Sequence, residues 1–408
     1  MSGMLEGLRV ADLTIVTAGA GATQVLADFG ADVIKIEGVN RPDLYRGGMG
    51  GDIGDDVAFP PFRTANRNKR AIAVDLKTPE GLEVVRRIVA SSDVVAENFR
   101  RGVVERLGLG FRDLIAIRPD IVLASISSQG VTGPSSHFIS FGLTLDALGG
   151  VMSYSGYDSD SPIWSSARIN YPDQTANSLA PALLIAAVLA SRRDGLPRWL
   201  DLSQRETVTA LMGDQVLRTS LTGENPVPTG NTTPDTIEWL TPSSGDDAWV
   251  AISLRSAEEL ELVASVVGAD LSGADLAGAG DDAARAALVR ATTERWSASR
   301  SDADAAARLR AAGVMAVPVR SGEELLDDPY LRSRGWWQEV STPDGGTERQ
   351  RGWAVAFDEG GPDRVRRNGP RIGEDTVEVL GELGYDADEI ASLVDRAVVS
   401  GPAHARQG

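Results

Sequence analysis

Residues 17–37 read TAGAGATQVLADFGADVIKIE, and the fold turns on this stretch. The apolar run LRVADLTIV precedes it, a glycine-rich turn and a helical stretch follow, and a second apolar run, ADVIKIE, closes on an acid. That order is a βαβ unit of a parallel sheet. It also imitates the dinucleotide fingerprint, in which glycines admit a pyrophosphate and a carboxylate about 20 residues on holds a ribose. Gly19 and Gly21 supply the first two glycines and Glu37 the acid. Gln24 occupies the third small position, where close helix–strand packing wants Gly or Ala. The fingerprint is imperfect, so NAD is one reading among several at this point.

The pattern continues outward. AIAVDL at 71–76 is a further strand, and TPEGLEVVRRIVASSD is a helix with Thr78 as N-cap and Pro79 at its first position. VVAENF and IVLASISSQG are strands, with the helical RGVVERLGLGFRDLIAIRP between them. Strands alternating with helices of this length predict an α/β fold with a Rossmann-like parallel sheet, whose ligands bind beyond the carboxyl ends of the strands. Those ends are VTAGAG, ENF and SSQGVTGP. The texture changes near residue 225, where GENPVPTGNTTPDT reads as a linker. WVAISL, a group of Ala- and Asp-rich helices and GVMAVPV then suggest a smaller α+β domain. The expected division is a large domain over 1–200, a linker over 201–230, the small domain over 231–325, and a return segment with closing helices over 326–408, packing on the large domain.

Composition narrows the chemistry. The 408 residues carry 42% hydrophobic and 24% charged side chains, ordinary for a soluble globular chain. Cysteine is absent, which removes disulfides, thiol nucleophiles and cysteine-ligated metal and suits a cytoplasmic location. No basic start followed by an apolar core marks a signal peptide. The apolar SLAPALLIAAVLASRRDG falls short of the ~18–20 apolar residues that span a bilayer and contains Pro181, so it reads as a buried helix. A net charge of −18 argues against nucleic acid or an anionic membrane as partner. Local basic residues in NRNKR, 66–70, leave room for a small anion, with a solvated basic turn as the alternative. Of two histidines, His137 and His404, the second lies in the polar tail, so neither a serine–histidine hydrolase nor a histidine metal site is expected. Asp173, at the entry to the apolar helix, reads either as a helix cap or as a partly desolvated nucleophile near helix N-terminal amides.

Taken in order, GLRVADLTIVTAGAGATQVLADFGADVIKIE, NRNKRAIAVDLKTPEG, DVVAENFRRGVVERLGLG, IVLASISSQGVTGP, RDGLPRWLDLSQRE, GNTTPDT before AWVAI, and AAGVMAVPV before ELLDDPYLRSRGW resemble a class III CoA-transferase. That family contains the formyl-CoA and carnitine-CoA transferases, and the likeness runs through nearly the whole chain. It implies that the glycine turn lies against coenzyme A and the active site rather than NAD. It implies a CoA site on the large domain using Val16, Val74, Lys77, Asn98, Phe99 and Arg106: Lys77 and Arg106 for phosphates, Asn98 and Phe99 beside adenine and ribose. Asp173 falls at the family's catalytic aspartate, which forms an acyl-aspartyl anhydride and then an aspartyl-CoA thioester without a metal. Implied partners are an acyl-CoA, a carboxylic acid acceptor, and a second copy of the chain in an interlocked homodimer.

Some positions depart from the family pattern. Gly38 stands where Arg often follows the IKIE strand, leaving Arg41 and Arg46 as nearby substitutes. Thr17 replaces a glutamine of the formyl-CoA enzymes, and their run of glycines in the small domain is missing, so oxalate and formate are disfavoured. INYPDQ resembles instead members acting on dicarboxylic or aryl-substituted acids, which implies a succinyl-CoA-type donor and a larger acceptor acid; Trp164, Trp336 and Trp337 read either as aromatics of an acyl pocket or as core or interface aromatics. The same superfamily holds α-methylacyl-CoA racemases, but their His–Asp pair is replaced by Phe141 and Gly142. A non-catalytic CoA-binding homologue is the third reading, and retention of Asp173 argues against it.

Overall fold

The computed structural model describes residues 3–47, 59–157, 163–164, 170–225, 227–231, 237–271, 282–342, 345–358 and 365–401. His404 and parts of SARINYPDQ and GNTTPDT lie outside them. Strands β1 (Arg9–Asp12), β2 (Asp32–Glu37), β3 (Arg70–Val74), β4 (Val94–Glu97), β5 (Val122–Ser127) and β6 (Arg198–Ser203) are followed by β7 (Ile237–Pro242), β8 (Trp249–Leu254), β9 (Met315–Pro318), β10 (Trp337–Ser341), β11 (Thr347–Arg351) and β12 (Val399–Ser400). The main sheet runs β12-β3-β2-β1-β4-β5-β6. All its strands are parallel except β12, which pairs antiparallel with β3. This is the mixed α/β, Rossmann-like sheet that the strand–helix alternation predicts, extended by β6 and β12.

Period-two alternation builds both faces of this sheet. Ala11 and Leu13 point into a core with Ile34, Ile36, Ile72, Val74 and Leu123, covered by Val84, Val85, Ile88 and Val89 of the helix Pro79–Ala90. Leu8 and Val10 face the other way, onto Val33, Val94, Ala96, Val122, Leu26, Leu184 and Val188. Helices therefore cover both sides, as the parallel body of the sheet requires. Thr78 caps its helix as expected, its hydroxyl accepting from Gly81 N at 3.0 Å.

Two compact units emerge. One comprises residues 1–152, 164–225 and 332–408; the other comprises 153–163 and 226–331. The second is built on the antiparallel sheet β7-β8-β9 and a core of Trp239, Val250, Ile252, Leu254, Leu260, Val263 and Leu309. Residues 201–222, read from the sequence as the start of a linker, instead complete β6 and form the helices Gln204–Ala210 and Gly213–Thr222. The apolar helix is longer than its sequence suggested. It spans Tyr171–Asp194, 24 residues, long and apolar enough by length and composition alone to cross a membrane. One face of it, Ala176, Ala180, Leu184 and Val188, is buried within the first unit, while Leu179, Leu183 and Leu189 are exposed.

Candidate active site

Strands β1 and β4 lie side by side while their connections depart in opposite directions, which makes the gap beyond their carboxyl ends the switch point of the sheet. Asn98, just past β4, closes part of that gap. Its side-chain amide donates to Ile15 O and accepts from Ile15 N, both at 2.8 Å. The next residue, Val16, has φ +61°, a left-handed conformation that a β-branched side chain rarely adopts. Its N–H donates to both carboxylate oxygens of Asp43, at 3.0 and 3.1 Å. The chain then enters the helix Ala18–Asp28, where Thr17 is the N-cap but supplies no side-chain cap. First-turn amides have no intrahelical partner and carry the positive end of the helix dipole, so this end is suited to an anion or a developing oxyanion.

Gly19 and Gly21, read from the sequence as a turn before the helix, instead lie within its first turn, and they answer to packing. A Cβ on Gly19 would lie 2.5 Å from Thr14 Cγ2 and 3.2 Å from Asn98 Cγ. A Cβ on Gly21 would lie 2.4 Å from Asn177 Nδ2, on the helix Tyr171–Asp194. Gly21 sits about one turn into its helix and Asn177 nearly two turns into its own, so the N-terminal parts of the two helices pack together.

Asp173 stands at the third position of that second helix, after the N-cap Asn170 and Pro172. Asn170 provides no cap bond, and Asp173 is not the cap. Its carboxylate is buried and accepts from two neutral amides, Gln204 Nε2 at 2.6 Å on Oδ1 and Asn170 Nδ2 at 2.8 Å on Oδ2. Among the described residues no Lys, Arg or His pairs with it. Burial pushes its pKa from 3.8 up to about 6, with the bonds from Gln204 and Asn170 pulling the other way. Gln204 was not singled out from the sequence. It lies at the junction of β6 and a helix capped by Ser203, and only the fold turns it toward a residue 31 positions earlier. Phe141 is an exposed N-cap, and a Cβ on Gly142 would lie 2.4 Å from Asn170 Oδ1. Gly142, where the resemblance would set the Asp of a racemase's His–Asp pair, is thus packed on the residue that holds Asp173.

The other residues named from the sequence sit along the carboxyl edge. Val16, Asn98 and Phe99 gather at the switch point, where Phe99 also packs on the core. Phe99 N donates to Glu97 at 2.8 Å, and burial raises that buried carboxyl to about 6 despite its bonds from Ser125 and Phe99 N. Val74 ends β3 with its side chain wholly in the core. Lys77 and Arg106 are exposed, as are Arg100 and Arg101, which the sequence reading passed over. Among the described residues none of these four cations has a carboxylate partner, so phosphate oxygens would find free donors here. Arg101 donates to Ser136 Oγ at 2.6 Å. His137 is exposed, Trp164 is half-buried, and Trp336 and Trp337 lie at the start of the β10–β11 hairpin.

Two expectations are corrected. NRNKR is neither a solvated turn nor an open anion site. Arg67 is wholly buried against Asp28 at 2.6 Å, and Lys69 is wholly buried against Asp12 at 2.8 Å. Arg46 cannot replace the missing Arg at position 38, because its guanidinium is spent on Glu37 at 2.5 Å and on Pro370 O at 3.0 Å. Arg41 is exposed, and Gly38 forms a tight turn in which Arg41 N donates to its carbonyl at 3.1 Å.

The profile of CoA-transferase family III matches residues 5–376. The chain is 29% identical to succinate–glutarate CoA-transferase of Agrobacterium fabrum, over 93% of this chain and 95% of that protein. It is 29% identical to succinyl-CoA–D-citramalate CoA-transferase of Chloroflexus aurantiacus, over 97% of this chain and 98% of that protein. It is also 32% identical over 98% of its length to probable CoA-transferase Rv1866 of Mycobacterium tuberculosis, of which it spans 50%. Among solved structures, a CAIB/BAIF family protein from Brucella suis superimposes with a TM-score of 0.83 at 26% identity, covering 94% of this chain and 100% of that chain.

Proposed function

Because the chain belongs to CoA-transferase family III, we propose that it moves CoA from an acyl-CoA donor to a carboxylic acid acceptor through covalent intermediates on Asp173. The observation that carries the reading is a buried carboxylate held by two neutral amide donors and, among the described residues, paired with no cation. A carboxylate so placed keeps its charge near neutral pH yet is poorly solvated, which makes it a better nucleophile than a surface aspartate.

Asp173 attacks the donor thioester carbonyl, forming a mixed anhydride and releasing CoA thiolate. The thiolate attacks the aspartyl carbonyl, forming an aspartyl-CoA thioester and freeing the donor carboxylate. The acceptor carboxylate attacks that thioester, restoring an anhydride and thiolate. Thiolate attack on the new acyl carbonyl then releases product acyl-CoA and the Asp173 carboxylate. No proton is gained or lost, so no general base is needed. Each tetrahedral oxyanion requires donors, and the uncapped first-turn amides of the helix Ala18–Asp28, whose Gly21 packs on Asn177 of Asp173's own helix, are suited to supply them. Lys77, Arg100, Arg101 and Arg106 serve the CoA phosphates.

The relatives named for succinate, glutarate and D-citramalate favour a succinyl-CoA-type donor and a dicarboxylic acceptor. A homodimer belongs to the same reading. The helix Gly213–Thr222 buries no residue within this chain and exposes Val216, Leu217 and Leu221, a face suited to a second copy.

The test is incubation with a panel of acyl-CoAs, followed by intact mass and peptide mapping. A CoA adduct on the peptide containing Asp173, absent in Asp173→Ala, supports the proposal and identifies the donor. Deuterium exchange at the α carbon of a branched acyl-CoA, with no adduct from any donor, overturns it in favour of an isomerase.

A further inference from the structure

We propose that Asp43 is a positioning residue of the acyl-CoA site: its carboxylate holds Val16 in the left-handed conformation and thereby aims the backbone that opens the helix Ala18–Asp28. This rests on the CoA-transferase reading. A β-branched residue at φ +61° persists only where its surroundings over-determine it, and such outliers gather at functional loops.

The surroundings here are specific. Both Asp43 oxygens accept from Val16 N, at 3.0 and 3.1 Å, and Oδ1 also accepts from Tyr45 N at 3.0 Å. Oδ2 receives Lys35 Nζ at 2.9 Å, with both side chains wholly buried. The same ammonium donates to Thr14 O at 2.9 Å, and Asn98 holds Ile15 through both of its polar atoms. Three consecutive residues, Thr14, Ile15 and Val16, are thus gripped by side chains from three parts of the chain. Asp43 is itself anchored, its N–H donating to Glu37 Oε1 at 3.0 Å while Arg46 pairs with that carboxylate.

Val16 N–H is consumed by this bond and cannot serve a ligand. The next amides along the chain, at the start of the helix, remain uncapped. Asp43 therefore touches no reacting atom. It sets the direction in which the following amides point, and Lys35 balances its charge.

The experiment compares the wild type with Asp43→Glu and Asp43→Asn, each alone and combined with Val16→Gly. It reads the Kd for CoA by calorimetry, kcat and KM for the donor acyl-CoA, and the melting temperature. Asp43→Glu keeps the charge that Lys35 needs but displaces the oxygens from Val16 N. It is expected to melt within about 3 °C of the wild type while weakening CoA and raising KM by about tenfold. Glycine adopts the left-handed conformation freely, so the penalty should shrink below about threefold in the Val16→Gly background, a non-additive cycle. Asp43→Asn is expected to act in the same direction; if it fails to fold, the glutamate variant decides. A folded Asp43→Glu with unchanged Kd and KM, or effects that simply add to those of Val16→Gly, overturns the positioning role alone. A wild type that neither binds CoA nor forms the Asp173 adduct overturns the CoA-transferase reading and this inference with it.

Discussion

Replacing Asp173 with asparagine should stabilise the protein, and by an amount that depends on pH. In the fold the carboxyl is held at about 6 against an ordinary 3.8. The folded state therefore binds the proton more tightly than the unfolded state does. Below the ordinary value both states are protonated and the group costs nothing. The cost of ionising it inside the fold builds as pH rises between the two values and is complete above about 6. That gap corresponds to about 3 kcal/mol at pH 8 and about half of this at pH 5. Asparagine never ionises, so it removes the cost. It also fits the hydrogen bonds: Asn170 Oδ1 is buried without a partner, and a flip of the Asn170 amide lets it accept from the new amide while Gln204 continues to donate to the oxygen. Thermal unfolding of Asp173→Asn and wild type at pH 8 and pH 5 measures the effect. For a unit of this size the expected rise is about 3–5 °C at pH 8, and about half that at pH 5. A gain equal at both pH values, or a loss at pH 8, would refute the claim that the site keeps its nucleophile at the expense of stability.

The rate should follow the same group. In the wild type kcat/KM is expected to fall about tenfold per pH unit below the Asp173 value near 6, and a profile flat down to pH 5 would remove the ionised aspartate from the chemistry. Gln204→Leu deletes a bond that favours the charged form, so its acid limb should move upward; an unmoved limb would show that Gln204 only fills space. Gly19→Ala places a methyl 2.5 Å from Thr14 Cγ2. Thr14 is buried and bonded to Asp12 at 2.5 Å, so it cannot retreat, and the variant should lose about 1–3 kcal/mol in denaturant unfolding. Full retention of stability would mean that the turn has room the geometry denies it.

The sheet was legible because period-two apolar runs and the capped helix at Thr78 are local signals, and local signals survive in one dimension. β6 and β12 were harder to read. RWLDLS has only its last two residues buried, and a two-residue edge strand has no period to detect. That Asp173 stands at the entry to the apolar helix was legible in the sequence, but its environment was not. Gln204 lies 31 residues away on another element, and nothing in DLSQRE announces which way that amide turns. The glycine turn was read for a ligand, whereas Gly19 and Gly21 are fixed by Thr14, Asn98 and Asn177, contacts that exist only once the chain has closed.

The charges misled for the same reason, and their placement explains how an acidic protein can handle an anionic substrate. NRNKR looked like an exposed anion site because sequence counts charges without locating their partners. Lys69 meets Asp12 57 residues away, and Arg67 meets Asp28 39 residues away. With Lys35–Asp43 and Arg46–Glu37 they form four buried pairs around the glycine turn. Such pairs contribute little net stability, since desolvation offsets their attraction, but losing one partner leaves an uncompensated buried charge and so fixes the geometry. The cations at the carboxyl edge without a carboxylate partner among the described residues, Lys77, Arg100, Arg101 and Arg106, are exposed and can meet phosphates at little desolvation cost. Asp173 has none of them as a partner. A guanidinium there would hold the carboxylate well below its present value and compete for the electron pair that, in the proposed mechanism, attacks the thioester. Neutral amides hold the proposed nucleophile in place without drawing on that pair, an arrangement under which one edge of the sheet would recognise a polyanion while its neighbour keeps a reactive anion.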